Sequence, residues 1–351
     1  MLNILSNRTY RHLFMAQVIA LIGTGLATVA LGLLAYDLAG DRAGAVLGTA
    51  LAIKMSAYIL VAPVAAAFAD KFPRRTMLVT LDLVRALVAI TLPFVTQIWE
   101  IYILIFILQA ASAAFTPTFQ ATIPDILPDE REYTRALSLS RLAYDLESVI
   151  SPMLAAALLT VMSFHNLFAG TAVGFLASAA LVVSVTLPKM KALTVKRSIY
   201  DKTTRGMRIF LKTPRLRGLL ALNMAVAAAS AMVIVNTVVL VQADFGFSQR
   251  STAIALAFFG VGSMVSALVL PRLLDNMSDR MPMLAGTALL VIGLGSGIFL
   301  KDYITLVVLW ALLGVGYSLS QTPGGRLLRR SSTAEDRPAL FAAQFALSHS
   351  C

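Results

Sequence analysis

Charge is what this chain has least of. Asp, Glu, Lys and Arg make up 13% of its 351 residues, where a soluble domain carries about 25%. Acids are the scarcer sign, 18 against 29 basic residues. The one cysteine, Cys351, is the final residue. No disulfide can close within the chain, and cysteine usage says nothing about redox compartment. His12, His165 and His349 share no helical spacing, and no set with metal-ligand spacing is present, so neither a metal site nor a cofactor is expected. A Walker lysine is missing. The glycine runs Gly293-Leu294-Gly295-Ser296-Gly297 and Gly314-Val315-Gly316 lie inside apolar stretches, so they read as helix packing and not phosphate binding. No nucleophile–base–metal set is visible, so no enzymatic activity is expected.

What the chain has instead is hydrophobic length. Hydrophobic residues make up 58%, and mean hydropathy is +0.80. Charge is kept out of a bilayer by about 2.5–3.5 kcal/mol per Arg, Lys or Asp near the middle of a helix. Several runs reach the ~18 apolar residues of a membrane span. They are continuous rather than alternating, which selects helices over a barrel. The first, about Leu13 to Leu34, is too long for a signal-peptide core and reads as a retained span. Spans are expected at about 13–37, 44–69, 76–97, 99–122, 137–161, 164–187, 216–241, 251–273, 282–300 and 303–322, with an eleventh beginning near Ala339. Short turns between them make neighbours antiparallel. The expected class is an all-α integral membrane protein, multi-pass in a lipid bilayer. Its units are a six-helix bundle over 1–187, a basic linker over 188–215 and a second bundle over 216–351.

Basic residues set the orientation. Of the 29 Lys and Arg, 23 fall on the side of the N-terminus and three, Arg42, Arg250 and Lys301, on the other. That bias places the N-terminus in the cytoplasm. It also accounts for the net charge of +11 without nucleic acid as a partner. The linker holds Lys189, Lys191, Lys196, Arg197, Lys202, Arg205, Arg208 and Lys212, with Met207, Ile209, Phe210 and Leu211 as an apolar component. Part of it is suited to lie on the membrane surface as a helix.

Two charged turns sit between apolar runs. Phe68-Ala69-Asp70-Lys71-Phe72-Pro73-Arg74-Arg75 is echoed by Leu273-Leu274-Asp275-Asn276-Met277-Ser278-Asp279-Arg280 at an offset of 205. Thr116-Pro117 recurs as Thr322-Pro323, and Asp129-Glu130-Arg131 as Glu335-Asp336-Arg337, at 206. The second half therefore repeats the first. On this ruler Cys351 matches position 145, in the middle of the fifth helix. The expectation is a C-terminally truncated chain, with helix eleven cut short and helix twelve absent.

The segment Ala66 to Arg75 resembles the signature between helices two and three of the major facilitator superfamily. Asp70, Lys71, Arg74 and Arg75 match it, while Ala66 and Pro73 stand where the family has glycines. Ala114-Phe115-Thr116-Pro117 through Pro152 is similar to the drug- and siderophore-exporting branch, including members linked to metal resistance. The resemblance implies two pseudo-symmetric six-helix bundles and a bacterial cytoplasmic (inner) membrane location. It implies a monomer in which Asp70 and the arginines, with Asp275 and Arg280 in the second copy, gate the cytoplasmic side. Exporters of this kind carry a glycine-rich fifth helix. Here Ser151 and Pro152 are a small-residue version, a hinge or plain packing.

Few ionisable residues lie within spans, and each is a functional candidate. Asp82 and Arg85 are three apart and share a face, read as a brace for the gate. Arg141 and Asp145 are four apart, with Glu147 on another face. Lys54 lies at a similar depth. Lys54, Asp145 and Glu147 are expected to line a central cavity, where approach of the lysine would switch a carboxylate's proton on and off. The reading is a secondary active transporter exporting a small molecule or a metal by alternating access, with protons as the coupling ion. The alternatives are a passive facilitator and a truncated fragment that transports nothing.

Overall fold

The computed structural model describes residues 2–68, 71–188 and 198–351. Asp70, and Lys189, Lys191, Lys196 and Arg197 of the linker, lie outside the described residues. Helices run in the order α1 (Arg8–Ala39), α2 (Ala43–Phe68), α3 (Arg74–Thr91), α4 (Ile98–Ile126), α5 (Glu130–Leu159), α6 (His165–Val183) and α7 (Ile199–Lys212). They continue with α8 (Pro214–Val238), α9 (Gln249–Asn276), α10 (Arg280–Ser296), α11 (Tyr303–Gln321), α12 (Gly324–Arg330) and α13 (Arg337–Ser348). Among the described residues, nine helical stretches are long and apolar enough to cross a membrane, and the first, Arg8–Phe68, holds both α1 and α2.

Local chemistry sets the helix ends. The Asn7 side chain accepts from the Tyr10 N–H at 3.1 Å to start α1, and Gly40, at φ 53°, closes it. Asp129 accepts from the N–H groups of Arg131 and Glu132, both at 2.9 Å, to start α5. This cap begins the helix at Glu130, seven residues before the apolar run that hydropathy marks at 137. α4 likewise runs on to Ile126. Hydropathy sees only the lipid-embedded part of a helix, whereas capped, charged turns extend it into water.

α1 packs on α5 and α6, α2 on α4, and α3 on α4 and α6; in the second bundle α9 and α10 pack on α11, and α8 on α10. α5 meets α9 across the bundles, and α13 meets α2 and α4. Helices approach closely through small residues: a Cβ on Gly262 would sit 1.9 Å from the Ala311 carbonyl oxygen, and one on Gly314 2.0 Å from that of Phe259. Large apolar side chains such as Leu60, Leu87, Ile234 and Ile292 face outward instead. That is the inverse of a water-soluble protein and suits hydrocarbon.

The repeats diverge at one turn. Thr116-Pro117 lies within continuous α4, whereas Thr322-Pro323 separates α11 from α12. Gly324 and Gly325 follow the second copy, where the first has Thr118 and Phe119. Each glycine costs a helix about 1 kcal/mol relative to Ala. Gly325 also lets α5 approach, for a Cβ there would lie 2.6 Å from Leu137. The linker helix α7 packs against α13 and α2. Phe210 of α7 is fully buried, and Gly206 crosses the Ala339 backbone.

Candidate functional site

A cavity of about 740 Å³ opens between the two bundles. Four charged side chains line it, Lys54, Arg85, Arg141 and Glu147, and all four come from the first bundle. The second bundle contributes Asn223, Ser230, Tyr317, Gln321, Gln344 and His349 among its polar lining, with no Asp, Glu, Lys or Arg.

Two of the four charges are held by an acid on their own helix. Asp82 is fully buried, pairs with Arg85 and accepts from Ser178 Oγ at 2.8 Å. The Arg85 guanidinium lies between two rings, 4.1 Å from the Phe115 centroid and 4.6 Å from that of Phe175. Arg85 is eleven residues into α3, roughly 16 Å along the helix. The pair expected to brace the gate therefore presents its arginine to the cavity. Arg141 pairs with Asp145 and donates to Tyr317 Oη at 3.1 Å, its guanidinium 4.3 Å from that ring. Asp145 also accepts from Ser263 Oγ of α9 at 2.6 Å. Asp145, expected to line the cavity beside Lys54, is instead 4% exposed and turned to the α5–α9 contact, because Arg141 and Ser263 occupy both its oxygens.

Lys54 and Glu147 are different. Each faces the cavity without an ion pair at contact distance among the described residues. The Lys54 ammonium lies 5.6 Å from the Tyr58 ring centroid, and Tyr58 donates to Gln109 Oε1 at 3.0 Å. Behind Glu147, Ser151 is fully buried against Gly25 of α1, where a Cβ would fall 2.2 Å from the Ser151 Cβ. Ser151 thus sits at a tight helix crossing, while Pro152 is exposed.

The end of the bundles bearing the N-terminus is tied by ions. Arg74 pairs with Asp125 at 2.5 Å, and Arg337, at the start of α13, reaches the other oxygen of the same carboxylate. Arg75 donates to the Val183 carbonyl at the end of α6, so it braces its own bundle. Lys71 lies over the Phe68 ring at 4.8 Å. In the second copy Asp275 meets Arg131 at 3.5 Å, while Arg280 is exposed. Its neighbour Asp279 is the connected residue, 3.0 Å from Arg326 and 2.6 Å from Arg330. Both arginines also reach Glu130 of the first bundle. Burial holds the Asp279 carboxyl above its ordinary range, although Arg326 and Arg330 oppose the shift. Asp125, Asp279 and Arg326 were not singled out from sequence. The repeat offset carried a signal for Asp279 alone, since it stands opposite Arg74.

Helix order, two bundles and a central cavity are features of a membrane transporter. The family model described as Major Facilitator Superfamily matches residues 13–240 and 219–349, and the chain belongs to that superfamily, a family of transporters rather than enzymes. It is 24% identical over 276 residues to YfiS, an uncharacterized MFS-type transporter of Bacillus subtilis (strain 168), covering 76% of this chain and 65% of YfiS. It is 25% identical over 154 residues to macrolide efflux protein A of Enterococcus faecalis, covering 41% of this chain and 47% of that protein. The matched region thus spans less than two thirds of either relative's length. Among solved structures, the human organic anion transporter MFSD10 (TETRAN) superposes with TM-score 0.74 at 14% identity, covering 97% of this chain and 90% of that one. A variant of the E. coli fucose:proton symporter FucP gives the same score at 12% identity, covering 97% and 88%. At these identities the structures establish the shared fold.

Proposed function

We propose that this chain is a proton-coupled exporter of an amphipathic small molecule, with the central cavity as the cargo site and the Lys54–Glu147 pair as the coupling element. The observation that carries this is the contrast among the membrane charges. Asp82 and Asp145 are committed to arginines, whereas Lys54 and Glu147 both line the cavity with no ion pair at contact distance among the described residues. A carboxylate facing an ammonium changes its proton affinity as their separation changes. Rocking of the bundles would change that separation. The ion pairs around Asp125 and Asp279, with Asp70 in the turn that precedes α3, would then act as the cytoplasmic gate, and α5 at Ser151-Pro152 as a pivot. The three units over 1–187, 188–215 and 216–351 supply the two rocking bodies and their tether.

Efflux is supported by the kind of relatives the chain has, which include macrolide efflux protein A and a multidrug resistance protein, MdtG, of Dickeya zeae (strain Ech586). A small molecule fits better than a bare metal. Among the described residues, no three His, Cys, Asp or Glu side chains come together to hold an ion. The positive bias supports a cytoplasmic N-terminus, and the bacterial relatives support a bacterial inner membrane as its location; the chain would work there as a monomer.

The test is transport in proteoliposomes under an imposed pH gradient. Glu147→Gln and Lys54→Ala are expected to lose gradient-driven accumulation while keeping downhill movement. Wild-type pH dependence in both variants would sink the coupling role. Wild-type flux unchanged by collapsing the gradient would make the protein a facilitator.

A further inference from the structure

The linker helix α7 (Ile199–Lys212) has 14 residues and is not one of the apolar stretches that can cross a membrane. Its length, about 21 Å by the helix rise, falls short of the ~30 Å hydrocarbon core. Ser198 accepts from the Asp201 N–H at 3.2 Å to start it. Thr213 both ends it and begins α8. With no spacer between the two helices, the end of α7 lies at the level where α8 enters the bilayer.

One face of α7 is committed to protein. Phe210 is fully buried, and a Cβ on Gly206 would sit 2.0 Å from the Ala339 carbonyl oxygen of α13. Arg205 grips the Asp336 carboxylate at the start of α13, with Nε at 2.5 Å and Nη2 at 2.9 Å. These contacts fix the rotation of α7 about its axis, and with it the face turned away. Tyr200, Thr204 and Leu211, at i, i+4 and i+11, share that face. Tyr200 is 78% exposed and Leu211 46%. The charges around them are basic. Arg208 borders the face and is paired with Asp201. Lys212 and, just inside α8, Arg215 are exposed and enter no ion pair among the described residues.

An aromatic and an aliphatic side chain left open beside unpaired cations is the pattern of a helix lying in a membrane interface. Tyrosine favours headgroup level, where its ring is apolar and its hydroxyl wet. A second copy of the same face would bring like charges together. The bilayer, by contrast, already reaches the end of α7. We propose that this face of α7 docks on anionic phospholipid in the leaflet on the side of the N-terminus. Tyr200 and Leu211 enter the boundary between headgroups and acyl chains, and Lys212 and Arg215 take phosphate oxygens. The helix is thereby held between α13 and lipid. The inference is independent of cargo and of proton coupling.

The test uses the full chain with Thr204→Cys in a Cys351→Ser background, labelled with an environment-sensitive fluorophore. Position 204 reports on the face and leaves Tyr200 and Leu211 in place. In vesicles of phosphatidylcholine and phosphatidylglycerol in equal parts, the emission is expected to shift to the blue and to be quenched by brominated acyl chains. Phosphatidylglycerol is then titrated into the purified chain in uncharged maltoside micelles. Lys212→Gln and Arg215→Gln should each weaken the response about fivefold, the equivalent of about 1 kcal/mol per basic residue. Added salt should weaken it too, by screening. Leu211→Ser should reduce the quenching and keep the salt dependence. All three side chains are exposed, so the lipid-free unfolding midpoints should match the wild type. Emission that stays water-like in the mixed vesicles overturns the proposal. So does an equal response to phosphatidylcholine alone, or a wild-type titration in both charge variants. A blue shift that appears only as protein density in the vesicles is raised would assign the face to a second copy and overturns it as well.

Discussion

At positions related by the repeat, Gln17 is held by Ser140 while the Asn223 Nδ2 is held by nothing among the described residues. The same contrast runs along the two walls. The first bundle carries Lys54, Arg85, Arg141 and Glu147 into the cavity, and the second carries neutral hydrogen-bonding groups. Duplication supplied two equal walls, and divergence separated their chemistry. Charge in a low-dielectric cavity is costly unless compensated. The first wall meets that cost with Asp82 behind Arg85 and Asp145 behind Arg141. The second wall avoids charge. The two walls thus share a repeat pattern and differ in charge.

The sharpest way to break this comparison is to remove an acid behind the charged wall. Asp145→Asn leaves the half-buried Arg141 without its counter-ion and weakens the bond from Ser263 of α9. About 3–5 kcal/mol of stability is expected to be lost, read as a large drop in the unfolding midpoint. A paired Arg141→Met, Asp145→Leu variant should recover most of it. No loss in Asp145→Asn would mean that the wall's charges are not internally compensated.

Next in size is Gly25→Ala. A Cβ there would collide with Ser151, so the α1–α5 crossing behind Glu147 must open, at about 1–3 kcal/mol. The expected result is lower stability together with altered pH dependence of transport. A change in stability alone would make Ser151 a packing residue and nothing more.

Smaller again is the effect at the tied end. Arg337→Ala takes one of two partners from Asp125, and Arg74 retains the other. Accessibility of a cysteine placed at Thr116 in a Cys351→Ser background should rise several-fold from that end, up to the tenfold of about 1.4 kcal/mol. Arg75→Ala, which touches only the end of α6, should leave accessibility unchanged.

The smallest effect is at the α5 cap. The N–H groups of Glu132 and Arg131 hold the Asp129 carboxyl below its ordinary range. A depressed acid contributes stability above its unfolded value and loses it as pH falls through the folded one. Asp129→Asn should remove that acid-side dependence from unfolding curves and leave both cavity walls intact.

Much of the fold was legible because lipid imposes a simple code. Ten apolar runs, short turns and a fixed repeat offset are one-dimensional signals, and α1 to α6 and α8 to α11 lie close to their expected places. The candidate site was legible only in part. Lys54, Arg85, Arg141 and Glu147 stood out as charges inside apolar runs, and the structure brings them to one cavity. Asp145 stood out for the same reason, but its partner Ser263 is 118 residues away and carries no charge signal. The bridge from Arg337 to Asp125 crosses 212 residues, and Asp125 looks like any interfacial acid in sequence.

The sequence by itself determined that this is a duplicated helical membrane protein, which halves correspond and where charge enters the spans. Those properties follow from the cost of polar groups in hydrocarbon and from copying. Only the tertiary structure decided which charges are locked by neighbours and which face open space, because pairing across helices depends on rotation about each axis and on the other bundle. The two copies therefore share a pattern of residues while differing in what each residue can do.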